Sequence, residues 1–126
     1  MTRPRRAARA LTAPVVLEAG RAAYGLVALV APHRVAALEL RRSPSRRATR
    51  VARLLGARHL AQGVAVLAAG TARAHRLGGG VDALHAASMV PWAAVTRTDR
   101  RYYVTSGAIA ATLALLEWQA SRRAPH

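Results

Sequence analysis

The residues of this chain that could do chemistry are ionisable side chains set inside apolar stretches. Glu18 and Arg21 are three residues apart, so on a helix they share one face, which continues through Gly25 and Ala28. An ionisable group in hydrocarbon costs on the order of a few kcal/mol, so such a face must turn toward a protein interior, a water-filled cavity or a partner. The spacing therefore indicates a helix that presents an ion pair to other helices.

Two later stretches repeat this pattern. Asp82 and His85 have the same spacing and share a helix face with Met89, while Glu117 lies on the same helix face as Ser106. Three carboxylates would thus share one arginine and one histidine at one level of a bundle. This predicted polar layer is the candidate functional site, and its members are Glu18, Arg21, Asp82, His85 and Glu117.

Arg58 and His59 lie in a third apolar stretch. The run Gly78-Gly79-Gly80 is the clearest turn signal in the chain and predicts a hairpin between two helices. Arg58 lies about twenty residues before that turn, roughly 30 Å along a straight helix, whereas Asp82 follows the turn directly. A direct pair between Arg58 and Asp82 is therefore rejected, and Arg58 with His59 is predicted to form a second polar layer near the start of the last helix.

Other chemistries have weaker signals. Asp82, His85 and His59 could supply metal ligands, and the two histidines could hold a haem, but the further residues usual for such sites are missing. A nucleophile at Ser88 or Ser106 has no visible oxyanion hole. The chain has no cysteine, which excludes disulfides and thiolate sites. We expect no enzymatic activity, no cofactor and no bound metal.

The positive charge lies between the apolar stretches. All twenty basic residues are arginine against five acidic residues, yet 52% of the 126 residues are hydrophobic, which excludes a disordered chain. Four apolar blocks with short basic connectors are typical of a multi-pass protein of the cell membrane. We predict a single all-α domain over residues 1–126, a four-helix transmembrane bundle with spans 14–31, 54–72, 80–96 and 102–120.

A basic, amphipathic connector over residues 33–53 joins the first two predicted spans. Ser43 followed by Pro44 predicts that a new helix starts there. The lipid bilayer, through its anionic headgroups, is the partner expected for this connector. Ten arginines on the connector side against eight on the other side do not decide the topology.

Glycines in the second predicted span recur every seven residues, at Gly56, Gly63 and Gly70. This spacing keeps them near one helix face. Small residues on a face let a neighbouring backbone approach closely, as in helices that pack in lipid. We therefore predict a helix-packing face at these three residues.

Short motifs occur in three of the four predicted helices: G-R-x-x-x-G at 20–25 with Ala31-Pro32, L-G-A-R-H-L-x-Q-G at 55–63 and V-D-A-L-H-A-A-S-M at 81–89. On these motifs the chain resembles short four-helix bacterial membrane proteins of unknown function, broadly DoxX-like in style. The resemblance implies a four-span bundle and no established activity.

Three functions follow from these patterns. The first is a non-enzymatic structural or accessory bundle of a larger membrane assembly, with another membrane protein or a second copy as its partner. The second is a small carrier or redox module that uses the internal polar layer. The third, a soluble basic nucleic-acid-binding protein, is not favoured, because the few aromatic residues lie outside the arginine clusters and would serve base stacking poorly.

Overall fold

Residues 12–125 are described by a computed structural model, in which they form five helices and no strand. The helices are α1 (Ala13–Val30), α2 (Pro32–Leu40), α3 (Arg46–Ala69), α4 (Ala72–Val95) and α5 (Arg100–Ser121). The all-α prediction is confirmed, with α2 a separate helix in the first part of the predicted connector. The four arginines before residue 10 that enter the topology count lie outside the described residues.

The first helix follows its sequence signals. Pro14 lies in its first turn, where a missing amide hydrogen costs little, and Pro32 begins α2 directly after it. The buried residues of α1 are those that helical spacing places on one face: Glu18, Arg21, Gly25 and Ala28. The side of α1 that meets the rest of the protein therefore carries both charge and small residues.

The third helix starts two residues later than predicted. The Oγ of Ser45, not of Ser43, accepts a hydrogen bond from the backbone N–H of Ala48 at 3.1 Å. Ser45 also donates to Oδ2 of Asp99 at 3.1 Å, in the connection between α4 and α5. This tertiary contact selects Ser45 as the cap, and the local sequence could not have shown it.

The predicted turn at Gly78–Gly80 is wrong. These glycines lie inside α4, and the chain reverses at Gly70, whose φ of 60° ends α3, and at Thr71, whose hydroxyl caps α4 by accepting from the N–H of Ala74 at 3.2 Å. A left-handed glycine followed by a threonine cap is a stop and start signal in two residues. Glycine inside a helix costs only about 1 kcal/mol, so the glycine run does not break α4.

Tight packing explains two of these three glycines. A Cβ on Gly78 would lie 2.8 Å from Oε1 of Glu117, and one on Gly79 would lie 3.1 Å from the Cβ of Glu117. Gly80 has nothing within 4 Å of such a Cβ. Gly78 and Gly79 therefore allow Glu117 of α5 to pack against the α4 backbone. The helix predicted as the third span begins at Ala72 rather than at residue 80.

The helices associate chiefly as two antiparallel pairs, α1 with α3 and α4 with α5. In the first pair, a Cβ on Gly56 would lie 2.6 Å from the N of Leu29, and one on Gly63 would lie 2.9 Å from the O of Glu18. These two members of the predicted glycine face thus allow backbone contact. Gly70 does not belong to it, because it ends α3 with open space around it.

The interior changes character along the bundle. Around α2, the start of α3, the end of α4 and the start of α5, it is apolar and aromatic, built on Ala36, Leu40, Ala48, Ala52, Met89, Tyr102 and Tyr103. Toward the start of α1 and the end of α5, the buried side chains are mostly ionisable. The second region contains the candidate site.

Only α1, among the helices of residues 12–125, is long and apolar enough to be a candidate membrane span by length and composition. The other long helices are less apolar because polar residues lie within them, among them Arg58 in α3, Asp82 in α4 and Glu117 in α5. By composition, the predicted four spans reduce to one candidate.

Candidate functional site

Arg21 of α1 is the centre of a buried ion cluster. Its Nη1 lies 2.6 Å from Oδ2 of Asp82, its Nη2 lies 3.0 Å from Oε1 of Glu117, and its Nε lies 3.4 Å from Oε2 of Glu18. None of these four residues is more than 3% exposed. A guanidinium group offers a planar fork of donors, so one arginine can hold three carboxylates from three helices.

The third helix joins this cluster through Arg58 and Gln62. Arg58 forms an ion pair with Oδ1 of Asp82. The side-chain amide of Gln62 donates to the backbone O of Gly78 at 3.0 Å and to Oδ2 of Asp82 at 3.3 Å. Asp82 is thus bonded from α1 and α3, and the cluster connects the two helix pairs.

The first turn of α4 adds His75. Its Nδ1 lies 2.5 Å from Oε2 of Glu117, and the histidine is buried. Glu117 therefore uses one carboxylate oxygen for Arg21 and the other for His75. Neither oxygen of Glu18 accepts a hydrogen bond from the described residues. One carboxylate in this cluster is consequently less well satisfied than the other two.

The charges of this cluster do not balance when His75 is neutral. Three carboxylates (Glu18, Asp82 and Glu117) face two guanidinium groups (Arg21 and Arg58), which leaves one net negative charge. An uncompensated charge in a buried site is costly. The arrangement is therefore suited to bind a proton or a cation beside Glu18, His75 and Glu117.

The structure brings together four members of the predicted polar layer: Glu18, Arg21, Asp82 and Glu117. His85 is not in contact with them. Its Nε2 lies 3.2 Å from the Oγ of Ser106, nearer to the aromatic end of the bundle. The prediction of His85 in this layer is corrected, because one helical turn beyond Asp82 already moves the side chain toward α5 at another level.

The predicted second layer of Arg58 and His59 does not exist as a unit. With the turn at Gly70, Arg58 lies twelve residues before it and Asp82 lies twelve residues after it, so the two are level and form an ion pair. His59 is buried separately and packs edge-on against Tyr24, with ring centroids 5.5 Å apart. The rejection of the Arg58–Asp82 pair was wrong because it depended on the misplaced turn.

His75 was missed at the sequence level. It lies between Arg73 and Arg76, in the gap between the predicted spans 54–72 and 80–96. A helix start at Thr71 would have placed His75 seven residues before Asp82, on the same face of α4. The signal was therefore the glycine–threonine pair at 70–71, which the longer glycine run obscured.

Smaller polar contacts fasten the connections at the other end of the molecule. Nη2 of Arg42 lies 2.9 Å from Oδ1 of Asp99, which joins the α2–α3 connection to the α4–α5 connection. Tyr24 donates to Oε1 of Glu39 at 2.7 Å and so holds α2 against α1. Burial raises the pKa of the Glu39 carboxyl above its usual range, and the bond from Tyr24 opposes that rise.

A cavity of about 580 Å³ leads to the ion cluster. Its lining combines the start of α1, the end of α3 and the segment after α5, including Thr12, Val66, Arg123 and Pro125. Glu18 and His75 also line it. Two members of the cluster are therefore within reach of a small solute, although both side chains are almost completely buried.

Comparison with known proteins adds no assignment. The resemblance to DoxX-like membrane proteins stays a prediction that depends on the three motifs in this sequence. No family model, no curated protein and no solved structure matches this chain.

Proposed function

We propose that this chain is a small multi-pass protein of the cell membrane, in which α1, α3, α4 and α5 cross the bilayer. It acts there as a non-enzymatic structural or accessory bundle of a larger membrane assembly. The observation that carries the proposal is the inverted placement of polar and apolar side chains. Ionisable groups occupy the interior at one end of the bundle, while many large apolar groups lie on the outside.

The inversion is pronounced. Among the described residues, the four largest fully buried side chains are Tyr102 and three carboxylates, Glu18, Asp82 and Glu117. Large apolar side chains are more than two-thirds exposed in several helices, among them Val30, Leu38, Leu54, Leu84 and Val95. Large exposed apolar surfaces indicate contact with a partner or a membrane. In a bilayer the same side chains would face lipid, and the charged groups would face the bundle interior, as such groups do in membrane proteins.

Helix lengths agree with this proposal. At 1.5 Å per residue, α3 and α4 with 24 residues each are about 36 Å long, and α5 with 22 residues is about 33 Å long. Bilayer hydrocarbon is about 30 Å thick, so the arginines in the first turns of these helices would reach the headgroups. The shorter α1, with 18 residues, would span about 27 Å.

The accessory role is supported by the way in which the cluster is organised. Arg21, Arg58, Asp82 and Glu117 each contact another charged member of the cluster, so most of its charge serves to join helices. The apolar exterior offers a surface for lipid and for another membrane protein or a second copy of the chain. These features favour a scaffold over a reaction site.

Membrane fractionation tests the proposal. The full chain, expressed in bacteria, should stay in the membrane pellet through a high-salt wash and an alkaline carbonate wash, and should be released by detergent. A known peripheral basic protein provides the control and should leave with salt. Release of this chain by salt alone would contradict the proposal and favour the soluble nucleic-acid-binding alternative.

A small carrier is the second candidate, and the cavity that reaches Glu18 and His75 favours it. Purified chain in liposomes with a trapped pH-sensitive dye should then accelerate proton flux, and Glu18→Gln should abolish the effect. His85→Gln is the control, because His85 lies outside the cluster. Proton flux equal to that of empty liposomes would leave the accessory role as the proposal.

A further inference from the structure

We propose that Glu18, His75 and Glu117 form a binding site for one divalent transition-metal ion of the Zn²⁺ class. One ligand atom from each of these residues lies within 4.8 Å of the other two, and all three side chains are buried. Carboxylate oxygen and imidazole nitrogen are among the ligands that Zn²⁺ uses in proteins. The three residues come from α1, α4 and α5, so the bundle itself brings them together.

The spacing of the ligand atoms is close to that of a metal site. Bonds of about 2.0–2.2 Å in a tetrahedral site put ligand atoms about 3.4 Å apart. The Nδ1 of His75 and Oε2 of Glu117 are now 2.5 Å apart and would have to separate by about 1 Å to bind the same ion. Zn²⁺ binding would displace the proton between these two atoms, which would leave to solvent or move to Nε2 of His75, so that Nδ1 could act as the ligand.

The unsatisfied carboxylate of Glu18 is a second, independent reason. Its side chain is 1% exposed, and neither Oε1 nor Oε2 accepts a hydrogen bond from residues 12–125. Its Oε2 lies 3.4 Å from Nε of Arg21, whereas no ion pair reaches Oε1. Buried polar atoms in folded proteins are nearly always paired, so Oε1 needs a cation or a proton. A metal ion held with His75 and Glu117 would satisfy it.

Arg21 contacts both carboxylates of the proposed site. It contacts Oε2 of Glu18 at 3.4 Å and Oε1 of Glu117 at 3.0 Å, which leaves Oε1 of Glu18 and Oε2 of Glu117 for an ion. Outer groups that hold ligand carboxylates in this way orient them and tune affinity in known metal sites. The guanidinium of Arg21 would therefore position two ligands without being one.

The site has three protein ligands and access from outside. Structural zinc sites use four protein ligands, whereas catalytic and exchangeable sites use three and leave one position for water or another small molecule. The cavity of about 580 Å³ is lined by Glu18 and His75 and so provides this access. The predicted absence of a metal, made at the sequence level, depended on His59 and His85 and did not consider His75.

Zinc binding to the full chain, purified in detergent without a histidine tag, tests the proposal. After treatment with a chelator, the protein is titrated with Zn²⁺ in competition with a chromogenic chelator. One Zn²⁺ should bind per chain. His75→Gln and Glu18→Gln should each weaken binding by at least about 10-fold, as the loss of even an outer-shell partner does in known sites.

His85→Gln is the matched control, because it removes another histidine of α4 that lies outside the three ligands. Its zinc affinity should equal that of the unchanged chain. Failure of the unchanged chain to bind one Zn²⁺, or equal affinities of the His75→Gln and His85→Gln variants, would overturn the proposal. Helix content from circular dichroism and a single gel-filtration peak establish that each variant is folded.

X-ray absorption at the zinc edge keeps the proposal testable if the variants do not fold. The unchanged chain should show one imidazole and otherwise oxygen ligands. A shell with two or more imidazoles, or a shell of water alone, would contradict the site. Both readouts use purified protein, so their result is distinguishable from the result of the membrane fractionation.

Discussion

The interior of this protein is charged where α1 begins and apolar where α2 lies. At the charged end, Arg21 holds carboxylates from three helices, and four of the five helices meet through ion pairs. At the apolar end, Tyr102 and Tyr103 meet edge to face, and Leu40 and Met89 pack in the same cluster. One bundle is thus held together by two kinds of interaction: ion pairs, which depend on charge, and apolar packing, which depends on side-chain volume.

Arg21→Met should have the largest effect, because it keeps an unbranched side chain but removes the charge that three carboxylates share. We expect a loss of about 3–5 kcal/mol in the free energy of unfolding, the usual cost of removing one partner of a buried ion pair. Arg42→Met is the control, since the Arg42–Asp99 pair is partly exposed and should cost about 0–1 kcal/mol. Thermal unfolding in detergent measures both, and equal losses would contradict a special role for the buried cluster.

Leu40→Ala tests the apolar end of the bundle, where stability should depend on the volume of the buried side chains. Leu40 is buried in the aromatic cluster, and its truncation should cost about 2–4 kcal/mol through lost burial and the cavity left behind. Leu38→Ala, on the same helix but mostly exposed, should change stability little. Leu40→Met should cost less than about 1.5 kcal/mol, because volume is conserved. An equal loss for Leu40→Met and Leu40→Ala would argue against volume as the deciding quantity.

Gly63→Ala tests the contact within the α1–α3 pair, which joins the two ends. A methyl group there would lie 2.9 Å from the O of Glu18 and 3.0 Å from the N of Ala22, both backbone atoms. Overpacking should destabilise the protein by about 1–3 kcal/mol. Gly80→Ala adds the same methyl group in open space and should be neutral or stabilising by up to about 1 kcal/mol. Equal melting temperatures would mean that α1 and α3 are not in backbone contact.

Tyr24→Phe should have the smallest effect, because it removes a single hydroxyl group that donates to Glu39. We expect a loss of about 1 kcal/mol at neutral pH. The bond from Tyr24 lowers the pKa of Glu39, so its contribution is present while Glu39 is charged and fades as pH falls and the carboxyl is protonated. A difference between Tyr24→Phe and the unchanged chain that grows toward acidic pH would contradict this assignment.

Helix faces could be predicted from the sequence, whereas the level of each residue along the bundle could not. Spacing alone put Glu18 and Arg21 on the buried face of α1, because helical periodicity is a local property. Asp82 can be placed opposite Arg58 only when the turn between α3 and α4 is correctly located. The close contact between Glu117 and Gly78 depends on how α5 packs against α4, which helical spacing does not show. A glycine in the sequence does not show whether it forms a turn or allows a close contact between helices.

The division of charge between the two helix pairs has a consequence for the order of assembly. The α1–α3 pair contributes Glu18, Arg21 and Arg58 to the cluster, one net positive charge, and the α4–α5 pair contributes Asp82 and Glu117, two negative charges. Neither pair can neutralise itself, yet each can form its own backbone contacts. We expect the pairs to form separately and to dock last, with the attraction between their opposite net charges as the step that commits the chain to its final fold.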